Sequence, residues 1–159
     1  MKNDQNEHVD LDNARYDDQR AVMQEIIEND ESPFLLKNLR KYHTKKVVRE
    51  GKYWYVTENQ WPYDHTKRHF LIIAQEYWTK LSDITPEAGA EMFELAQWVA
   101  EEYGVQGGAI CMRFGDTNLS AGTVQHLHVQ FIEPDREAEG FKPVRFKIGK
   151  EKQGEKIEA

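Results

Sequence analysis

Two histidines and a glutamine alternate with apolar residues in Gln125-His126-Leu127-His128-Val129-Gln130-Phe131-Ile132. A period of two is the signature of a β-strand with one buried face. On such a strand His126, His128 and Gln130 stand on one side, neighbouring Cα atoms roughly 6–7 Å apart, and Leu127, Val129 and Phe131 on the other. A neutral imidazole is a good nucleophile near pH 7, because its unperturbed pKa lies close by, and it can take a nucleotidyl group from an α-phosphate as a phosphoramidate. Flanking His and Gln donors would stabilise the phosphoryl oxygens as charge builds on them. His-x-His on a strand is also a common pair of metal ligands, which His69 would extend to three. The plainest alternative is the solvated face of an antiparallel strand.

The loop ahead of this row suits phosphate. From Gly115 to Gln125 it is polar and built of small residues. Ala121 and Gly122 let backbone come close to a ligand, while Asn118, Ser120 and Thr123 offer amide and hydroxyl donors. For Asn118 and Ser120, ordinary turn roles fit equally well. Trp61 and Tyr63 could stack on a base or serve as core or dimer contacts. His43 and His65 read as surface residues, Trp78 and Trp98 as packing residues.

The elements that must position these groups are legible in outline. Residues 1–11 read as disordered, and Asn13 to about Asn29 as an amphipathic helix with Tyr16, Met23 and Ile27 on one stripe, broken by Ser32-Pro33. Lys46–Arg49 and Tyr53–Thr57 flank Glu50-Gly51-Lys52 as a hairpin. An irregular loop runs from Trp61 to His69, and Phe70–Ala74 is an apolar run fit for a central strand. Thr85-Pro86-Glu87 is a strong helix start, with a hydroxyl cap, proline in the first turn and a carboxylate at the positive end. Met92, Leu95, Ala96, Val99 and Tyr103 follow at helical spacing, and Gly104 is a plausible stop. Ala109–Phe114 is another strand, and alternation at Val144, Phe146 and Ile148 suggests a short last one. Together these predict an antiparallel α+β domain.

Composition narrows the functional classes. One domain with an adequate core fits 159 residues, 39% apolar and 11% aromatic. The net charge of −7 is uneven: residues 1–31 hold ten acidic and three basic residues, and the rest of the chain eighteen of each sign. A neutral body with an acidic arm argues against a nucleic-acid polymer as partner, though not against a small phosphorylated ligand. No apolar stretch approaches membrane-spanning length and the N-terminus does not resemble a secretion signal, so no membrane partner and a cytoplasmic location are expected. The single Cys111 lies in an apolar run and reads as a small buried hydrophobe in a reduced compartment.

From about Val47 to Asp135 the chain resembles the histidine triad (HIT) superfamily of nucleotide hydrolases and transferases, whose motif is His-φ-His-φ-His-φ-φ with φ apolar. Here it reads His126-Leu127-His128-Val129-Gln130-Phe131-Ile132, and a proline-containing loop at Trp61-Pro62 leads to His69 and an apolar strand, as in the family. The resemblance implies a HIT-like antiparallel sheet of about five strands with one long helix, here with an added N-terminal helix. Residues 1–31 would form an acidic extension, 32–149 the HIT-like domain and 150–159 a disordered tail. It implies that His128 is nucleotidylated, that His126 supports it and the phosphate, that His69 is a fourth histidine of the site, that Asn59 contacts ribose and that Thr123 helps to cradle phosphate. It also implies a small nucleotide as substrate and a homodimer.

Three departures carry their own expectations. Gln130 replaces the third histidine, and Ala121-Gly122-Thr123 precedes the triad, both as in the family's transferase and phosphorylase branch. Gln can donate a hydrogen bond but not a titrating proton, which favours interception of the intermediate by phosphate or another acceptor over water. Ser32-Pro33-Phe34-Leu35 stands where many members carry a zinc knuckle, so no structural zinc and no cofactor are expected. The rival readings are a nucleotide-binding protein with little turnover and a metalloenzyme built on His69, His126 and His128.

Overall fold

Gly108 has no room for a side chain: a Cβ there would lie 2.1 Å from the carbonyl oxygen of Ile132. That close approach lets the strand after it pair with the strand that carries the histidines. The computed structural model describes residues 8–152. Its strands are β1 (Val47–Glu50), β2 (Trp54–Glu58), β3 (Thr66–Ala74), β4 (Ala109–Met112) and β5 (His128–Pro134). They form one antiparallel sheet in the order β1-β2-β3-β5-β4. The α+β expectation therefore holds, with β3 and β5 central. Their register sets Leu71 opposite Gln130 and Ile73 opposite His128.

Both faces of the sheet are covered, by different parts of the chain. One face carries Trp54, Val56, Phe70, Ile72, Leu127, Val129 and Phe131 against Leu95, Ala96 and Val99 of the long helix α3 (Pro86–Glu102). That helix starts where the sequence indicates, with the Thr85 hydroxyl accepting the Ala88 N–H and Pro86 in the first turn. The other face carries Tyr55, Leu71 and Ile73 and is roofed by Val9, Leu11, Met23, Ile26, Phe34 and Leu39. The roof comprises helix α1 (Asp17–Asn29) and helix α2 (Leu36–Tyr42). It is this second face that holds the histidine row, so the N-terminal extension covers the site side of its own sheet.

Glu91 ties α3 to the β1–β2 hairpin. Its carboxylate accepts the backbone N–H groups of Lys52 and Tyr53 at 2.7 Å and of Trp54 at 2.9 Å. Hydrogen bonds to a charged group contribute roughly 1.5–3 kcal/mol each at most, and these share one half-exposed carboxylate. Glu91→Ala is expected to cost about 2–3 kcal/mol in all and to lower the thermal midpoint by roughly 4–10 °C. Calorimetric melts check this, and an unchanged midpoint would show that the turn holds without its anchor.

Several sequence expectations need correction. Residues 8–11 are ordered: Val9 is buried and bridges Val124, and the Asp10 N–H donates to Thr123 O at 2.8 Å. Residues 1–7 lie outside the described residues. His8, expected in a loose arm, packs edge-on against Tyr77 and accepts the Gln125 N–H on its carbonyl. The first helix begins at Asp17 rather than Asn13, because Leu11–Asn13 form a tight 3-10 turn capped by Asp10 and the Asn13 side chain bonds to Gly122 O. Val144, Phe146 and Ile148 form no strand, since no sheet edge pairs with them. Instead the Arg113 guanidinium takes the Lys147 carbonyl and lies 3.9 Å from the centre of the Phe146 ring. Lys150, assigned to a disordered tail, donates to Asp12 at 2.7 Å and to buried Asp10 at 3.3 Å, and residues 153–159 lie outside the described residues. Cys111 is half-buried rather than buried. Among the described residues no helix is long and apolar enough to cross a membrane.

Candidate active site

His128 opens β5, and its Nδ1 lies 2.8 Å from the main-chain oxygen of His126. A carbonyl only accepts, so Nδ1 carries the proton and Nε2 keeps its lone pair. Burial pushes the His128 pKa down to about 4, with the nearby Arg113 acting in the same direction. The ring is therefore neutral at physiological pH, in the tautomer that a nucleophile needs. It lines a cavity of about 660 Å³.

The other two histidines are fixed by the same logic. His126 is fully buried, and its Nε2 lies 2.7 Å from Ala74 O and so donates to it. Its Nδ1 must then accept, and the Ser32 hydroxyl supplies the proton at 2.6 Å. His69 accepts the Tyr63 N–H on Nδ1 at 3.0 Å, so its Nε2 carries a proton and donates to Gln130 Oε1. The two strands bring this pair together as diagonal neighbours on one face. Desolvation pushes both His69 and His126 down to about 4.

Gln130 is thereby oriented. With Oε1 taken by His69, its NH2 group has no protein partner among the described residues, and the side chain lines the cavity. The row is no solvated strand face: His126, His128 and Gln130 are at most 8% exposed. Nor is it set up as a metal centre. Both ring nitrogens of His126 and of His69 are committed to protein partners, and no three His, Cys, Asp or Glu side chains among the described residues are grouped to hold an ion.

The structure sorts the remaining expected site residues. Asn59, Trp61, Gly122 and Thr123 line the cavity with His128 and Gln130. Asn59 accepts the Trp61 N–H at 2.9 Å and rests its Nδ2 beside His69 Nε2 at 3.3 Å. The Trp61 indole N–H is held by Asp18 of α1 at 2.9 Å. The Thr123 hydroxyl donates to Asn13 O at 2.9 Å, so the N-terminal segment already engages the group expected to cradle phosphate. Neither Asn118 nor Ser120 lines the cavity. Both sit in the short helix α4 (Thr117–Ser120), where the Ser120 hydroxyl accepts the Gly122 N–H. His126 and His69 are not among the residues that line it.

Sequence reasoning missed two guanidinium groups. Arg15 donates to Trp61 O at 2.5 Å and stacks on the Tyr63 ring, 4.3 Å from its centre. Arg113 donates to the Tyr63 hydroxyl at 2.9 Å. Tyr63 thus spaces two cations at the mouth of the histidine row, and both line the cavity. No local pattern announced them, because they converge only through tertiary packing. Ser32 was noted for what it could not ligate, and its bond to His126 is the positive role.

The HIT domain family model matches residues 40–137. Solved structures with the same fold include one described as a Hit-like protein, at 24% identity and a TM-score of 0.51, covering 62% of this chain and 95% of that one. A HIT family hydrolase from Clostridium thermocellum is 21% identical with a TM-score of 0.52, over 65% of this chain and 90% of that one. A histidine triad nucleotide-binding protein from Candida albicans is 15% identical with a TM-score of 0.53, over 67% and 80% respectively. No curated protein sequence matches.

Proposed function

Because the chain belongs to the HIT domain family, we propose that it is a nucleotide-binding enzyme that cleaves a bond at the nucleotide α-phosphate through a nucleotidyl-His128 intermediate. One observation carries this reading: the buried, neutral His128 holds its proton on Nδ1 against the His126 carbonyl and turns Nε2 to a cavity large enough for a nucleotide. The Nε2 lone pair forms the N–P bond as the P–O bond to the leaving group breaks, and the electron pair departs with that oxygen. The Gln130 NH2, oriented by His69, donates to a phosphoryl oxygen through the step. An acceptor oxygen then attacks phosphorus and the electron pair of the N–P bond returns to Nε2.

The hydrolase from Clostridium thermocellum that shares the fold lends support to a hydrolytic completion. Gln130 favours a second phosphorylated acceptor or inorganic phosphate instead, since no titrating group stands at that position to activate water. Intact-mass measurement after mixing with nucleoside polyphosphates tests the core of the proposal. A mass gain of one nucleotidyl group is expected, and its decay in the presence of water alone or of added phosphate separates hydrolysis from transfer. Failure of any nucleotide to label or turn over would leave the nucleotide-binding alternative.

A homodimer is part of the same reading. The edge strand β4 leaves Ile110 41% exposed and unpaired on its outer side, and Phe93 on α3 is 54% exposed. Such a surface suits a second copy. Sedimentation should give a dimer mass that Ile110→Lys shifts toward monomer, whereas a monomeric wild type would contradict it.

A further inference from the structure

The turn between α1 and α2 reaches into the histidine row from outside the matched domain. Ser32, in that turn, is 2% exposed, and its hydroxyl meets Nδ1 of the fully buried His126 at 2.6 Å. The other ring nitrogen, Nε2, donates to Ala74 O. A neutral ring has one N–H, so Nδ1 is an acceptor and the hydroxyl is its donor. The Ser32 hydroxyl oxygen also accepts the Phe34 N–H at 3.3 Å, and Ser32 O accepts Asn38 Nδ2 at 2.9 Å. The oxygen is thus anchored from behind, which leaves its hydrogen for the imidazole. Residues 40–137 match the HIT domain model, so Ser32 comes from ahead of that stretch.

The ring that Ser32 holds is joined to the nucleophile through the main chain. Ala74, the last residue of β3, takes the His126 Nε2 proton on its carbonyl and donates its own N–H to Leu127 O at 3.1 Å. One residue therefore grips both the His126 side chain and the carbonyl that follows it. Those two bonds fix the chain where it enters β5. In the same stretch the His126 carbonyl takes the Nδ1 proton of His128, which leaves Nε2 of His128 with its lone pair. Phe34, two residues after Ser32, meets the His128 ring edge-on with centres 4.8 Å apart, and its carbonyl accepts the Tyr55 hydroxyl at 2.6 Å. Tyr77 meets His126 in the same way at 5.5 Å.

Without the hydroxyl, Nδ1 of His126 is a buried acceptor with no donor among the described residues. The ring then has two ways to recover. It can move its proton to Nδ1, which sets the Nε2 lone pair against Ala74 O, or it can turn. Either one loosens the peptide whose carbonyl holds the proton of His128. We propose that Ser32 is a positioning residue for the nucleophile: its hydroxyl locks His126, and the locked His126 presents the carbonyl that sets the tautomer and direction of the His128 ring. The kinetic consequence rests on the nucleotidyl-His128 reading, whereas the tautomer consequence does not. Ser32 keeps its proton throughout and forms no bond to substrate. Neither Ser32 nor His126 lines the cavity, so the effect falls on the rate of nucleotidyl transfer and spares nucleotide binding.

The test compares wild type, Ser32→Ala and Ser32→Cys in labelling rate, nucleotide binding and ring tautomer. Cysteine fills nearly the same space but is a weak donor, so it separates hydrogen bonding from packing. With the nucleoside 5′-triphosphate that labels wild type fastest, both variants should label about tenfold or more slowly at saturation, with the Kd for the matching 5′-monophosphate unchanged. Nitrogen-15 spectra of the imidazoles should show His128 wholly protonated on Nδ1 in wild type and as a mixture of both tautomers in the variants. A loss of stability alone would not move that signature. A wild-type labelling rate in Ser32→Ala or in Ser32→Cys overturns the proposal, and so does a His128 tautomer that stays unmixed in both. If wild type takes no label from any nucleotide, the covalent reading fails, and the tautomer alone decides for or against Ser32. Thermal melts establish that each variant is folded, and Ser32→Cys is read by itself if Ser32→Ala is not.

Discussion

His128→Ala is expected to abolish nucleotidyl labelling and to lower turnover by on the order of 10⁴-fold or more, the scale on which removal of a covalent nucleophile acts. The magnitude follows from what no neighbour can replace. His126 has its Nδ1 engaged by the Ser32 hydroxyl and its Nε2 by Ala74 O, and it does not line the cavity. His69 has one nitrogen on the Tyr63 N–H and the other on Gln130. Neither ring has a lone pair free to attack. The fold should tolerate the change, because His128 sits at the start of β5 and its one hydrogen bond among the described residues is to a main-chain carbonyl two residues away. Nucleotide affinity should survive in the variant, since Gln130 and the guanidinium pair remain. Intact mass, single-turnover rates and equilibrium binding together check this. A variant that still labels, or that retains more than about a hundredth of the wild-type rate, would point to catalysis without covalent His128.

Gln130 carries a second consequence of the same geometry. Its carbonyl oxygen faces His69 and its amide faces the cavity, so it is a fixed hydrogen-bond donor rather than a proton relay. The site's electrostatics then come from the flanks rather than from the row itself. Arg15 arrives from the segment ahead of α1 and Arg113 from just beyond β4, and Tyr63 holds them both. The extension that looked like an acidic appendage therefore has two roles. It roofs the apolar part of the site face with Met23 and Ile26, and it delivers a cation to the cavity that His128 lines.

The parts of this architecture that were legible in sequence are those fixed by local periodicity or local capping. The alternation at His126–Phe131 set the two faces of β5, and Thr85-Pro86 set the start of α3, because strand pleat and helix capping act over a few residues. What escaped was determined at long range. Helix α2 has Leu35 at its N-cap with no side-chain hydrogen bond, so nothing local marks its beginning. Val144, Phe146 and Ile148 alternate like a strand, but alternation does not supply a partner. Asn13 meets Gly122 and Thr123 across more than a hundred residues, and that contact turns an expected phosphate cradle into an anchor for the N-terminal segment. The histidine row could be read as phosphate chemistry or metal chemistry until the tautomers were known, and those are set by Ala74, Tyr63 and Ser32.

Acid should destabilise this protein steeply, and the three histidines are the reason. Burial pushes His69, His126 and His128 each down to about 4, against about 6.5 in an unfolded chain. The folded-state value is the lower one, so the unfolded chain binds more protons between those limits and stability falls as pH falls. The contribution is fully present above about pH 6.5 and is lost by about pH 4. At pH 5 each ring removes on the order of 2 kcal/mol. Three together approach the total stability of a typical domain, about 5–15 kcal/mol. Denaturant melts from pH 7.5 to 5 should show that loss, with cooperative acid unfolding between about pH 5 and 4. His126→Gln provides the internal control. A carboxamide can accept from Ser32 and donate to Ala74 O as the imidazole does, but it does not titrate, so the slope below pH 6.5 should become about one third shallower. Because His128 is neutral throughout this range, the acid limb of activity should follow unfolding rather than protonation of the nucleophile. Stability that is flat between pH 7 and 5, or a slope unchanged in His126→Gln, would mean that the rings are not held neutral by burial.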